Sequence, residues 1–117
     1  MIEHPSETFT VGTANAVSNN SVVPYYLDER KLRVSIARVN DQLYAFDGLC
    51  THEGCPLSGG RLTGTAIMCQ CHGSRFDVRT GAVINGPATE ALNIYGVQVV
   101  DGCIQIRVPL GSARSAA

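Results

Sequence analysis

A chain of 117 residues, 44 % hydrophobic and 16 % charged, can bury the core of one compact domain and is too short for two. Its formal net charge of −1 gives no general attraction for nucleic acid or an anionic membrane surface, so neither is expected as a partner. No apolar run approaches the roughly 18–20 residues that span a bilayer, and "MIEHPSETFTVG" has no basic region followed by an apolar stretch, so a cytoplasmic setting is expected.

In chain order, "YYLDERK" carries a turn at Asp28–Arg30. "KLRVSIARV" (31–39) then alternates as a strand with Leu32, Val34 and Ile36 on one face. "NDQ" makes a tight turn and "LYAFD" (43–47) returns as the second strand of a hairpin. "TAIMCQC" is a short strand, and "SRFDVRTGAVI" reads as strand, turn at Arg79–Gly81, strand. "LNIYGVQVVDGCIQIRV" gives a last hairpin turned at Asp101–Gly102. Helical periodicity is absent. Many short strands with frequent turn signals predict an all-β, antiparallel sandwich or barrel over residues 1–110. "GSARSAA" (111–117) is small and polar, a flexible tail. Acids lead in the first half of the chain and arginines in the second.

Four of the five cysteines and two of the three histidines fall in "CTHEGCPLSGG" (50–60) and "CQCHGSRFDVRTG" (69–81), two Gly-rich segments between strands. A cytosolic chain uses clustered cysteines for metal or catalysis more often than for disulfides. The ligand-like pattern is Cys50-x-His52 and Cys69-x-x-His72, one thiolate and one imidazole on each loop. Zinc takes two Cys and two His tetrahedrally and is one candidate. Zinc fingers, however, group their cysteines on one knuckle and their histidines on a helix. An equal division between two loops suits a binuclear centre better, one iron held by both sulfurs and the other by both nitrogens, as in a Rieske [2Fe–2S] centre. His4 lies outside this pattern and reads as incidental, and Cys103 reads as a small core residue.

Cys50-Thr-His52 and Cys69-Gln-Cys71-His72-Gly-Ser74 closely resemble the paired motifs of the Rieske iron–sulfur proteins, and "NGPA" (85–88) is similar to that family's proline loop. The resemblance implies a Rieske-like antiparallel β-sandwich with a small cluster-binding subdomain of two loops, about 48–58 and 68–77, holding one [2Fe–2S] cluster. It implies that Cys50 and Cys69 bind the inner iron, and His52 and His72 the outer one. Cys55 and Cys71 match the places where the quinol-oxidising branch of the family carries a disulfide joining the loops. Ser74 matches a serine whose hydroxyl donates to the cluster, while Phe76 stands where the high-potential branch carries a tyrosine. Pro56, Leu57, Gly59 and Gly60 are expected to form a docking rim, and Gly86, Pro87 and Ala88 to cover another side.

By the same resemblance the chain is an electron carrier and has no catalytic residues of its own. With two thiolates instead of four, the oxidised centre carries about zero net charge rather than about −2. Accepting an electron is then easier, and potentials fall at roughly −150 to +300 mV. The missing tyrosine hydroxyl removes one stabilising donor, so an intermediate or low value within this range is expected. The resemblance is nearest to soluble Rieske ferredoxins, which implies a flavoprotein ferredoxin reductase and a terminal aromatic-ring-hydroxylating oxygenase as partners of a monomeric carrier. A Rieske subunit of a quinol-oxidising or arsenite-oxidase-type complex is the alternative, and accounts best for Cys55 and Cys71.

Overall fold

The period-2 patterning becomes ten strands among the described residues of the computed structural model, which are 6–51 and 54–109. They are β1 (Ser6–Thr13), β2 (Ser21–Leu27), β3 (Leu32–Val39), β4 (Gln42–Asp47), β5 (Arg61–Thr63), β6 (Ala66–Met68), β7 (Arg75–Asp77), β8 (Val83–Asn85), β9 (Ile94–Val100) and β10 (Cys103–Pro109). Helix is limited, among the described residues, to single 3-10 turns at Ala14–Ala16 and Leu57–Gly59. None is long and apolar enough to cross a membrane. His4 and the tail 111–117 lie outside the described residues.

A six-stranded sheet runs β1-β10-β9-β4-β3-β2 and curls until its two edge strands meet; a four-stranded sheet runs β5-β6-β7-β8. Every strand pairing is antiparallel. The smaller sheet is an insertion. β4 and β9 are paired through Ala45–Tyr95 and Phe46–Ile94, so the chain between them leaves the large sheet and rejoins it at one place. Both motif loops belong to that excursion.

The hairpin turns follow from their residues. Asn40 and Asp41 have φ of 50° and 68°, and Asp101 and Gly102 have 51° and 78°. Two successive left-handed residues give the turn whose twist matches paired strands, and Asn, Asp and Gly tolerate it best. Three strands escape the sequence pattern. β2 contains Pro24, which reads as a break, but β2 is a sheet edge, where a missing N–H is tolerated. β1 is interrupted by a bulge between Thr10 and Gly12, and β5 is three residues behind a Gly-Gly pair.

β3 and β4 are covered on both faces. Val34, Ile36, Leu43 and Ala45 join Ile104, Ile106 and Val108 inside the curled sheet. Ala37 and Phe46 point the other way, into a second core with Leu57, Ile67, Phe76, Val78 and Leu92 beneath the inserted sheet. That explains why residues 34–37 are all buried, with no exposed alternate. Cys103 is half-buried on β10 opposite Val100 and Thr13. Arg38 donates to the carbonyls of Val17 (2.6 Å) and Ala14 (2.8 Å), which pins the β1–β2 connection.

The turn between β7 and β8 is tied twice. The Asp77 carboxylate accepts from the Arg79 backbone N–H (2.9 Å) and from its Nε (3.1 Å) and Nη2 (2.8 Å), and those guanidinium hydrogen bonds hold the Asp77 carboxyl below its ordinary range. A depressed carboxyl contributes stability above the unfolded-state pKa, so this contribution is present at neutral pH and is lost as acidification passes the folded-state value. Gly81 ends the turn at φ +83°, where a Cβ would collide with the Leu92 carbonyl. Gly81→Ala is therefore expected to cost about 2 kcal/mol or more, because backbone strain and the collision add. Urea unfolding should show a lower midpoint with an unchanged slope.

Candidate metal centre

The two motif loops are built alike. In the first, the Cys50 N–H donates to the Cys55 carbonyl (2.8 Å) and the Gly54 N–H donates back to the Cys50 carbonyl (2.8 Å). In the second, the Cys69 N–H donates to the Ser74 carbonyl (2.7 Å) and the Gly73 N–H to the Cys69 carbonyl (3.0 Å). Each loop is closed by the same two bonds across six residues, with a glycine in fifth place. Gly54 and Gly73 have φ of +75° and +81°, and a Cβ on either would touch nothing. Glycine is needed there for its backbone conformation, not for space.

This closure sorts the candidate ligands by depth. Cys50 and Cys69 stand at the loop bases, 4 % and 2 % exposed, packed in the second core with Leu57, Ile67 and Phe76. His72, near its loop tip, is exposed. His52 lies outside the described residues.

Cys55 and Cys71 form a disulfide, with Cα atoms 6.5 Å apart, which ties one loop to the other. The Cys69 sulfur lies within 4.8 Å of both bridge sulfurs. That trio is not itself a metal site, because disulfide sulfurs offer no thiolate. Its meaning is positional: the bridge sits against a buried cysteine that remains a thiol.

A third segment closes the site. The Thr51 hydroxyl donates to the Glu90 carbonyl (2.7 Å), and the Ala88 N–H donates to the Ser74 hydroxyl oxygen (3.0 Å). The stretch 86–93, which opens on the cis Gly86–Pro87 bond, is thus bonded to both loops. Its far end is anchored by Asp47, whose carboxylate accepts from the Asn93 N–H (2.7 Å) and the Tyr95 hydroxyl (2.6 Å). Sequence reading missed Thr51, Asp47 and Tyr95. The one available signal for Thr51 was its place inside the first motif.

The expected rim and cover divide differently. Leu57 is fully buried and belongs to the core, which corrects its expected place on a docking rim: the 3-10 turn it opens directs its side chain inward. Pro56 and Gly59 are exposed. Gly60 serves packing, since a Cβ there would collide with the Met68 carbonyl. Gly86 and Pro87 are exposed, and it is Ala88 that turns inward. Ser74 and Phe76 are both completely buried.

These residues suit an iron–sulfur centre. Two buried thiols give a sulfur side in a dry apolar cradle, and an exposed imidazole gives a nitrogen side toward solvent. The Ser74 oxygen already accepts from Ala88, so its own hydrogen is left to donate. Donors toward sulfur stabilise the reduced state of such a centre.

A centre with sulfur inside and nitrogen outside, on two matched loops of an antiparallel sheet, defines the Rieske class. Residues 7–96 match the Rieske [2Fe-2S] domain, and the chain belongs to that family, whose centre is one Rieske-type [2Fe–2S] cluster. It is 33 % identical over 75 residues to the anthranilate 1,2-dioxygenase ferredoxin subunit of Burkholderia cepacia, covering 64 % of this chain and 69 % of that one. The ferredoxin of Sphingomonas yanoikuyae B1 superposes with a TM-score of 0.82 at 28 % identity, covering 88 % of this chain and 100 % of that one. A chain from the solved complex of reduced oxygenase and oxidised ferredoxin in carbazole 1,9a-dioxygenase gives 0.78 at 30 % identity, with 85 % and 91 % covered. The chain is thus an electron-transfer protein of the Rieske ferredoxin type and not a catalyst.

Opening the bridge, which spans a sequence separation of 16, frees the unfolded chain. The double variant Cys55→Ser with Cys71→Ser should lose about 3 kcal/mol against the oxidised wild type. The difference should vanish when the wild type is unfolded in excess dithiothreitol.

Proposed function

We propose that the chain is the ferredoxin component of a ring-hydroxylating dioxygenase system. As a cytoplasmic monomer it takes single electrons from a flavoprotein reductase and delivers them to a terminal oxygenase. The observation that carries this reading is the depth difference between the ligand candidates: buried Cys50 and Cys69, exposed His72. Within it, Cys50 and Cys69 hold the inner iron, and His52 and His72 hold the outer one. The cluster, when bound, supplies a site that accepts and releases one electron without a change of substrate.

The remaining residues hold and shield. The disulfide keeps the loops together, and Thr51 and Ala88 fix the 86–93 segment over them. Phe76 and Leu57 exclude water from the sulfur side. Ser74 donates toward the cluster, and Phe76, lacking a hydroxyl, adds no second donor. The exposed His72 edge is the exit for the electron. Names of the relatives support the partners, since they belong to ferredoxin components of aromatic dioxygenase systems.

One observation favours a second reading. The Cys55–Cys71 bridge is the feature of quinol-oxidising Rieske subunits, and in a reducing cytosol it needs protection by burial or by the cluster. Protein-film voltammetry separates the two. A midpoint in the upper part of the roughly −150 to +300 mV window would support the quinol-type subunit, and one in the lower half the ferredoxin.

The ligand assignment is tested directly. Cys69→Ser and His72→Ala should each bring bound iron from two per chain to near zero. They should also remove the visible absorption and the Rieske-type electron paramagnetic resonance of the reduced protein, with the circular dichroism of the β-sheet retained. Full iron content in His72→Ala would refute the assignment.

A further inference from the structure

The pairings of the inserted sheet fix a second row of side chains beside the metal centre. Leu62, Ile67, Phe76 and Val83 stand opposite one another across β5–β8 and face the second core. Successive strand residues point to opposite faces. The adjoining cross-strand row, Arg61–Met68–Arg75, therefore faces away from that core, and the register shift between β7 and β8 sets the exposed Asn85 opposite Arg75 at its end. Each member of the row abuts a piece of the site. Arg61 follows Gly60, Met68 precedes Cys69, Arg75 follows Ser74, and Asn85 precedes Gly86–Pro87. The row is a rim along one flank of the cluster end.

The rim is positive. Arg75 donates to Asn85 Oδ1 (3.4 Å), a neutral oxygen that steadies the guanidinium without cancelling its charge. Arg61 makes no ion pair with a carboxylate among the described residues. The acid of this sheet, Asp77, lies at the far end of β7 and is already held by Arg79. Glu90 belongs to the 86–93 segment, bound through its carbonyl to Thr51 of the other loop. Two arginines are thus gathered on this flank of a chain whose total charge is −1.

We propose that Arg61 and Arg75 form a docking rim for an acidic surface patch on the terminal oxygenase, orienting this chain so that the exposed His72 edge faces the acceptor. The inference rests on the ferredoxin reading above. Two guanidiniums on a protein of negative total charge are too few to hold a nucleic-acid backbone, and they suit a local carboxylate patch on a protein. The oxygenase is favoured as occupant because a related chain has been solved in complex with one.

Stopped-flow transfer from the reduced, cluster-loaded full chain tests it, against oxidised oxygenase and, separately, from reduced flavoprotein reductase to this chain. For the wild type, the second-order rate constant to the oxygenase should fall as sodium chloride rises from 20 to 500 mM (about 20 to 4 Å of Debye length). The double variant Arg61→Glu with Arg75→Glu should be about tenfold slower or more at low salt, with its salt dependence flattened or reversed. Arg61→Lys with Arg75→Lys should stay near the wild type, and the visible and paramagnetic spectra of both variants should match it. A wild-type rate indifferent to salt, or a charge-reversed variant within twofold of it, overturns the proposal. Slowing confined to the reductase arm also overturns it, reassigning the rim. If the wild type passes no electron to an oxygenase at all, the ferredoxin reading itself falls, and the docking proposal with it.

Discussion

A residue at the base of a closed loop is buried, and one near its tip is not. Everything distinctive about this site follows from that constraint. Both loops are shut by the same pair of backbone hydrogen bonds, from the first residue to the sixth and from the fifth back to the first. The first residue is a cysteine in each, and the closure presses it into the core beneath the inserted sheet. Histidine comes two places later in one motif and three in the other, between the residues that close each loop. The burial of Cys50 and Cys69 beneath an exposed His72 is thus a result of loop length and of two glycines held at positive φ.

The rest of the molecule keeps these loops from moving relative to each other. The β4–β9 pairing fixes where the inserted chain departs and returns. Asp47 locks that point by accepting from both Asn93 and Tyr95. The disulfide joins one loop to the other, and the 86–93 segment spans both loops through Thr51 and Ser74. An electron carrier benefits from such bracing, since a site held in one geometry pays little reorganisation when its charge changes. Redundancy also spreads the load, so a single lost hydrogen bond would leave the disulfide and the other hydrogen bonds in place.

Much of this was legible in the sequence because the chemistry is local. The hairpins at Asn40–Asp41 and Asp101–Gly102 announce themselves through turn residues, and the two motifs through spacing alone. What stayed hidden depends on partners distant in the chain. Pro24 looks like a strand breaker until β2 is known to be an edge. Leu57 looks like a surface residue of a Gly- and Pro-rich loop, but it is fully buried, because the 3-10 turn aims it at the second core. Thr51 and Asp47 act on residues 39 and 46 positions away, and no short-range pattern encodes such a pairing.

The mixed character of the site, a bridge typical of the high-potential branch and a phenylalanine where that branch carries a tyrosine, resolves when the two features are assigned to different physical roles. The Cys55–Cys71 disulfide is neutral and donates no hydrogen bond, so its effect is to hold the loops in place. Phe76 is an apolar wall without a donor, and Ser74 keeps a hydroxyl hydrogen free of the Ala88 contact. Under the proposed ligand set, the Ser74 hydroxyl and burial tune the redox poise, while the bridge governs mechanical order. A chain can therefore retain the brace of a high-potential protein without its potential. Such a combination suits a carrier that must give up its electron readily yet offer each partner the same rigid face.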